Sequence, residues 1–314
     1  MKLLSGNTHI DFFAKRKFAF AFSAILIVLS IGSLVTRGLN FGLDFTGGAL
    51  IEVAYSTAPD MEQVRNNLRS AGLDDAQVNT FGLDTEIVVR IPPRNEEEST
   101  AELSTIVLQA LRDNYDGTIE MRRVEFVGPQ VGEELTEQGI LAVVYALIGI
   151  FLYVMMRFQW RFSVGAVAAL VHDVIITMGV ISIMAVEFDL TVVAALLAVI
   201  GYSLNDTIVL FDRIRENFPR LRNRQPVEVV NTSVNQTLSR TLMTSLTTLL
   251  VLIALFIFGG EIINAFAFTL IVGVLIGTYS SIYVASTTLL ELGVSKFDLL
   301  QVEKEGVAQQ DSQP

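Results

Sequence analysis

Cysteine is absent from this 314-residue chain, which excludes disulfide staples and thiolate metal sites. Histidine occurs only as His9 and His172, so no zinc or iron constellation is visible. Charged residues are scarce at 18%, against about 25% in an ordinary soluble domain. With 51% apolar residues and a mean hydropathy of +0.51, the composition argues against a soluble globular enzyme and against a mainly disordered chain. No nucleophile, metal cluster or phosphate-binding loop stands out. No catalytic residue and no cofactor is therefore expected.

The charge that is present is unevenly placed. Between Arg37 and Glu137 stand 8 basic and 19 acidic residues, which account for the whole net charge of −11. Such a segment repels phosphates, so a nucleic-acid partner is not expected.

A hydrocarbon core about 30 Å thick is crossed by about 20 apolar helical residues. Six segments meet that length: Phe18–Thr36, Gly139–Met156, Ser163–Met184, Leu190–Leu210, Thr241–Phe258 and Ala265–Leu290. Positive residues stay on the cytoplasmic side. Lys15, Arg16 and Lys17 precede the first span, Arg157 and Arg161 follow the second, and Arg213, Arg215, Arg220, Arg222 and Arg224 follow the fourth. The loops 185–189 and 259–264 carry no Lys or Arg. Both termini are thus expected inside and the acidic segment outside. The first span lacks a clear small-x-small cleavage site and reads as a retained anchor. The expected organisation is a polytopic α-helical membrane protein. Residues 1–17 are cytoplasmic, 18–36 the first span, and 37–137 an external α+β domain. Residues 138–292 hold spans two to six with a cytoplasmic loop at 211–240, and 293–314 form a cytoplasmic tail. From Val302 to Pro314 that tail is polar and expected to be disordered.

The external segment reads as a water-soluble fold. Ala49–Tyr55, Gln77–Thr80, Glu86–Ile91 and Thr118–Phe126 have strand character. Asp60 reads as an N-cap for a helix with Met61, Val64 and Leu68 on one face. Ser99 and Glu102 form a capping box for the stripe Leu103, Ile106, Val107, Ala110, Leu111. The order β-α-β-β-α-β is the ferredoxin-like arrangement. The run Glu96-Glu97-Glu98 reads as an exposed loop, with a metal site or a docking surface for basic clients as the competing reading.

An ionisable residue inside a span costs about 2.5–3.5 kcal/mol at the helix centre, so each one calls for a reason. Asp173, next to His172, lies about 15 Å into the third span. The pair reads first as a buried structural hydrogen bond and second as a relay. Asp206 sits in the polar cluster Ser203-Leu204-Asn205-Asp206-Thr207 and reads first as an ion carrier and second as an acid near the cytoplasmic headgroups, with Asn205 as a secondary relay or structural residue. Arg240 opens the fifth span; a relay partner and a cation snorkelling to the interface are equally good readings. A carboxylate among apolar helices holds its proton more tightly unless a cation faces it. Motion that brings Arg240 to Asp206 and removes it would make the acid bind and release a proton once per cycle. Gly273 and Gly277 permit close helix packing, within the chain or with a partner. Pro226 starts a helix whose Val227, Val230, Val234 and Leu238 share a face that lies on the membrane surface or docks a partner.

Four motifs together resemble the SecF family, the smaller partner of SecD in the bacterial protein-export apparatus. They are Leu43-Asp44-Phe45-Thr46-Gly47-Gly48, Glu125-Phe126-Val127-Gly128-Pro129-Gln130-Val131-Gly132, Ala168-Ala169-Leu170-Val171-His172-Asp173-Val174, and Gly201 to Val209 running into Asp212-Arg213-Ile214-Arg215-Glu216-Asn217. The resemblance implies a fold related to half of a resistance-nodulation-division transporter, in the bacterial inner membrane with the large loop periplasmic. It implies SecD as an obligate partner, contacts with SecYEG, YajC and YidC, and a functional link to SecA. It implies that the proton-motive force drives or completes export of unfolded chains after the ATP-driven stage. The functional acid of the family's fourth helix matches Asp206 here, and the functional arginine of the fifth matches Arg240. Asp44, Gly47 and Gly48 read as a structural turn from the membrane into the first strand, and Gly128-Pro129 as the return turn and hinge. The alternatives are half of a proton-driven exporter of small molecules or lipids, and a membrane scaffold or sensor.

Overall fold

The computed structural model describes residues 9–93, 100–113 and 115–294. After a 3-10 turn at Phe13–Lys15 comes helix α1 (Arg16–Thr36). Ser23, Ser30 and Ser33 point inward from it, while Phe22, Ile25, Val28 and Leu29 point outward. Lipid is as apolar as leucine, so close helix approach in a bilayer is driven by small residues and polar contacts.

The inserted domain follows in chain order: β1 (Asn40–Phe41), α2 (Leu43–Thr46), β2 (Gly48–Tyr55), α3 (Met61–Ser70), β3 (Gln77–Phe81), β4 (Leu83–Ile91), α4 (Thr100–Arg112) and β5 (Ile119–Val127). β2 to β5 form an antiparallel sheet of order β3-β4-β2-β5, which is the ferredoxin-like topology expected. Alternation in β2 buries Ala49, Ile51, Val53 and Tyr55 against Val64, Leu68 and Val107. Asp60 Oδ1 accepts from the Glu62 amide at 2.9 Å, as an N-cap should. The capping box of Ser99 with Glu102, the glutamate run 96–98 and the tail from Val302 fall, wholly or through Ser99, outside the described residues. Gly47 and Gly48 have φ of 68° and 112°, and a Cβ on Gly48 would run into the Ile91 carbonyl oxygen. The turn from α2 into β2 therefore requires glycine.

Five further spans complete the bundle. α5 (Pro129–Arg157) has Gly128 as N-cap and Pro129 in its first turn, so it starts ten residues before the apolar stretch. α6 (Trp160–Ile183) and α7 (Leu190–Arg220) are joined through β6 (Glu187–Phe188). α8 (Pro226–Phe258) is followed by α9 (Glu261–Ser280), a π turn (Ser281–Ala285) and α10 (Ser286–Glu291), which together make the sixth span.

Two expectations are corrected here. Residues 211–240 are not a loop: α7 runs on to Arg220, α8 begins at Pro226, and only 221–225 lie between. At about 45 Å, α7 outruns a hydrocarbon core of about 30 Å. The stripe Val230, Val234, Leu238 covers neither membrane nor partner. It packs in one core with Phe211, Ile214 and Phe218 of the α7 extension, because each extension buries the apolar face of the other. The Gly273 and Gly277 pair packs within the chain, against Val199 and Ser203 of α7.

β6 pairs in parallel with β1, and the rings of Phe41, Phe45 and Phe188 cluster at 5.6–6.0 Å. This seam ties the inserted domain to the start of α7. Two residues per strand carry no periodicity, so the sequence gives no sign of it.

Candidate functional site

Two carboxylates lie buried inside the bundle, and their surroundings differ. Asp173 of α6 is fully buried. Its Oδ2 accepts from Ser203 Oγ of α7 at 2.6 Å and from Ser280 Oγ of α9 at 2.7 Å. Its Oδ1 lies 3.0 Å from His172 Nδ1. His172 Nε2 reaches Ser23 Oγ of α1 at 3.2 Å, and Ser23 in turn meets Tyr279 Oη at 3.1 Å. One acid thus gathers four helices. The pairing of His172 with Asp173 was legible from adjacency. Ser203 belongs to the polar cluster already legible around Asp206, whereas Ser23, Ser280 and Tyr279 carry no such context, although serines in apolar spans are a usable signal.

Asp206 of α7 is 4% exposed, and its Oδ2 has no hydrogen-bond partner among the described residues. An unmade bond at a buried carboxylate is costly, so the position is one a ligand or proton can complete. The guanidinium of Arg240, midway along α8, acts on Asp206 through its charge, but no ion pair within 4.0 Å joins them among the described residues. Arg240 is exposed on the outer surface of the chain. Polar contacts also join α7 and α8 to the sixth span: Thr207 Oγ1, next in sequence to the acid, lies 2.9 Å from Ser281 Oγ of the π turn, and Ser245 Oγ of α8 lies 2.7 Å from Thr278 Oγ1 of α9. Asn205 points away from this cluster and is exposed. π turns recur at functional sites because they free backbone groups within a helix.

The turn residues lie at the other end of α7. Asp44 Oδ2 accepts from the Leu190 amide at 3.0 Å, and Asp189 Oδ1 accepts from the Val192 amide at 2.8 Å, so two carboxylates cap that helix. Arg90 of β4 pairs with Glu187 of β6. Gly132 of α5 packs its backbone against Phe45 and Gly47, so no side chain fits there. Gly128 is extended, with ψ of 148°, and leads directly into α5. Among the described residues no cluster of three or more acidic or histidine side chains is arranged to hold a metal.

The chain is similar to known proteins along nearly its whole length. Residues 107–295 match the family model for "Protein export membrane protein SecD/SecF, C-terminal", and residues 32–59 match the SecD/SecF GG motif. Protein translocase subunit SecF of Vibrio alginolyticus is 52% identical over 315 residues, covering 100% of this chain and 99% of the relative. The SecF subunit of Escherichia coli O157:H7 is 44% identical, covering 98% and 96%. The crystal structure of SecDF, a translocon-associated membrane protein from Thermus thermophilus, superposes with a TM-score of 0.82 at 37% identity, covering 92% of this chain and 39% of that one. A super-membrane-facing form of SecDF gives 0.69 at 36% identity, with the same coverage.

Proposed function

Because this chain belongs to the SecF family of protein translocase subunits, we propose that it is the half of an ion-driven export motor whose moving charge is the Asp206 carboxyl group. With SecD as the other half, it uses the proton-motive force to drive or complete passage of unfolded chains after the SecA stage. It does so at the SecYEG channel, with YajC and YidC as neighbours. The chain is a multi-pass membrane protein. We place it in the inner membrane with both termini cytoplasmic and the inserted domain periplasmic, on the asymmetry of Lys and Arg between its loops.

The observation that carries this reading is the buried, unpaired Oδ2 of Asp206 with Arg240 near enough to act on it. When Arg240 swings close, the carboxylate is favoured and a proton leaves; when it withdraws, burial favours the neutral acid and a proton returns. One charge crossing 100 mV supplies about 2.3 kcal/mol, which is enough to bias a domain motion. α7 carries the effect outward, because its far end is capped by Asp44 at the edge of the inserted domain.

The test is Asp206→Asn in membrane vesicles that contain the whole translocase. The subunit is expected to assemble normally, to keep SecA-driven export and to lose the proton-dependent increment. Normal proton-dependent export in this variant rejects the reading. Restoration of the parent's export by a sodium gradient alone would reassign the ion.

A further inference from the structure

The third-span motif that contains His172 and Asp173 has no part in the relay described above. We propose that Asp173 is a positioning residue, a clamp that fixes the helical phase of α7 against the sixth span and so keeps the neighbouring Asp206 buried and unpaired.

Asp173 is 0% exposed, and both its oxygens are committed. Two of its three donors are hydroxyls from different helices. Ser203 lies three residues before Asp206 on α7, so the two share a helix face. Ser280 is the last residue of α9, immediately before the π turn. The clamp therefore grips both sides of the seam at which Asp206 sits. One helical turn further on, Thr207 and Ser281 meet, and Ser281 Oγ also reaches the Ser203 carbonyl at 3.3 Å. Gly277 lets α9 approach Ser203 with no side chain between them, so the seam is close as well as polar.

Charge explains why an acid occupies this position. A neutral acceptor there would hold each hydroxyl with an ordinary hydrogen bond, whereas bonds to a carboxylate are roughly twice as strong. The titratable groups facing the two acids are His172 beside Asp173, Tyr279 beyond Ser23, and Arg240 opposite Asp206. Rotation of α7 by even part of a turn would carry Asp206 out of its dry site. The clamp rests on the relay reading for its purpose, though not for its geometry.

The absence of cysteine makes the geometry directly measurable. A Thr207→Cys/Ser281→Cys pair, introduced into the full translocase in native membranes, reports by its oxidation rate how closely α7 meets the π turn. Adding Ser280→Ala, which removes one donor and no charge, is expected to slow oxidation by about threefold or more. Alone, Ser280→Ala is expected to move the pH of half-maximal proton-driven export by about half a unit or more. Ser280→Thr restores both. Asp173→Asn, which keeps the shape and loses the charge, acts in the same direction. An unchanged oxidation rate in both Ser280→Ala and Asp173→Asn overturns the clamp. Slower oxidation with an unmoved pH profile also overturns it, because the contact would then be structural alone. Asp206→Asn in the same membranes separates the two ideas. Normal proton-driven export there rejects the relay, whereas a dead Asp206→Asn beside unaffected Ser280→Ala and Asp173→Asn rejects only the clamp.

Discussion

At the scale of single residues, the number of partners separates the two intramembrane acids. Asp173 has three, and Asp206 has a bare oxygen. A buried carboxylate is tolerable when hydrogen-bonded and expensive when not, so the incomplete one is poised to change state. Depth alone pointed the other way, since Asp173 is the more central in its span. A different orphan occurs in the inserted domain. The Tyr55 hydroxyl is buried without a hydrogen-bond partner among the described residues, and its ring stands edge-on to Tyr115 at 4.8 Å. Burial holds the Tyr55 phenol well above its ordinary value, while hydrogen bonds from Ser56 and Thr57 draw the half-buried Tyr115 down. Burial disfavours the tyrosinate, so stability is level below the unfolded value near 10 and falls as pH climbs beyond it. Tyr55→Phe is therefore expected to leave the domain as stable or about 1 kcal/mol more so at neutral pH. It should also flatten the loss of stability above pH about 10. Thermal unfolding of the detergent-solubilised chain from neutral to alkaline pH checks this. A drop in melting temperature at neutral pH would mean the hydroxyl is paired in solution.

At the scale of elements, length and periodicity were legible, and the ends were not. Apolar run length located all six spans, and alternation located the four strands of the main sheet. The helix from Pro226 was legible from its apolar stripe, whereas the extension of α7 to Arg220 was not, because arginines crowd the connection and charge reads as loop until a partner helix covers the apolar face behind it. α7 links the domain seam to the open acid: one end is capped by Asp44 and Asp189, and Asp206 lies 16 residues along, about 24 Å away. Asp44→Ala is expected to cost about 1 kcal/mol at that cap. The cost should appear as faster amide exchange at Leu190 to Val193, together with a weaker proton-driven export increment. Asp44→Asn keeps the acceptor and should recover most of both. Exchange equal to the parent in Asp44→Ala would show that Asp189 holds the helix end by itself.

At the scale of the molecule, the bundle leaves polar groups on its outer surface. Asn205, Arg240 and Thr247 are exposed on spans α7 and α8. Hydrocarbon does not satisfy an amide or a guanidinium, so another protein surface must cover them. Phe258 and Val28, also exposed, are what lipid accepts. A cysteine at Asn205 is accordingly expected to cross-link to the partner subunit in native membranes, and one at Val28 is not. Equal yields at both sites would contradict a covered polar face.

Composition, run length and residue type by themselves determined the membrane class, the number of spans, the ferredoxin-like insertion and the short list of acids. Each of these follows from local rules: bilayer thickness, strand pleat, and the cost of burying charge. Only the tertiary structure decided which acid is saturated and which is open, that β1 and β6 stitch the domain to α7, and that α7 runs on to Arg220. Those outcomes depend on partners 16 to 147 positions away in the chain, such as Ser233 for Asn217, Ser203 for Asp173 and Glu187 for Asn40, and no local pattern encodes such a meeting.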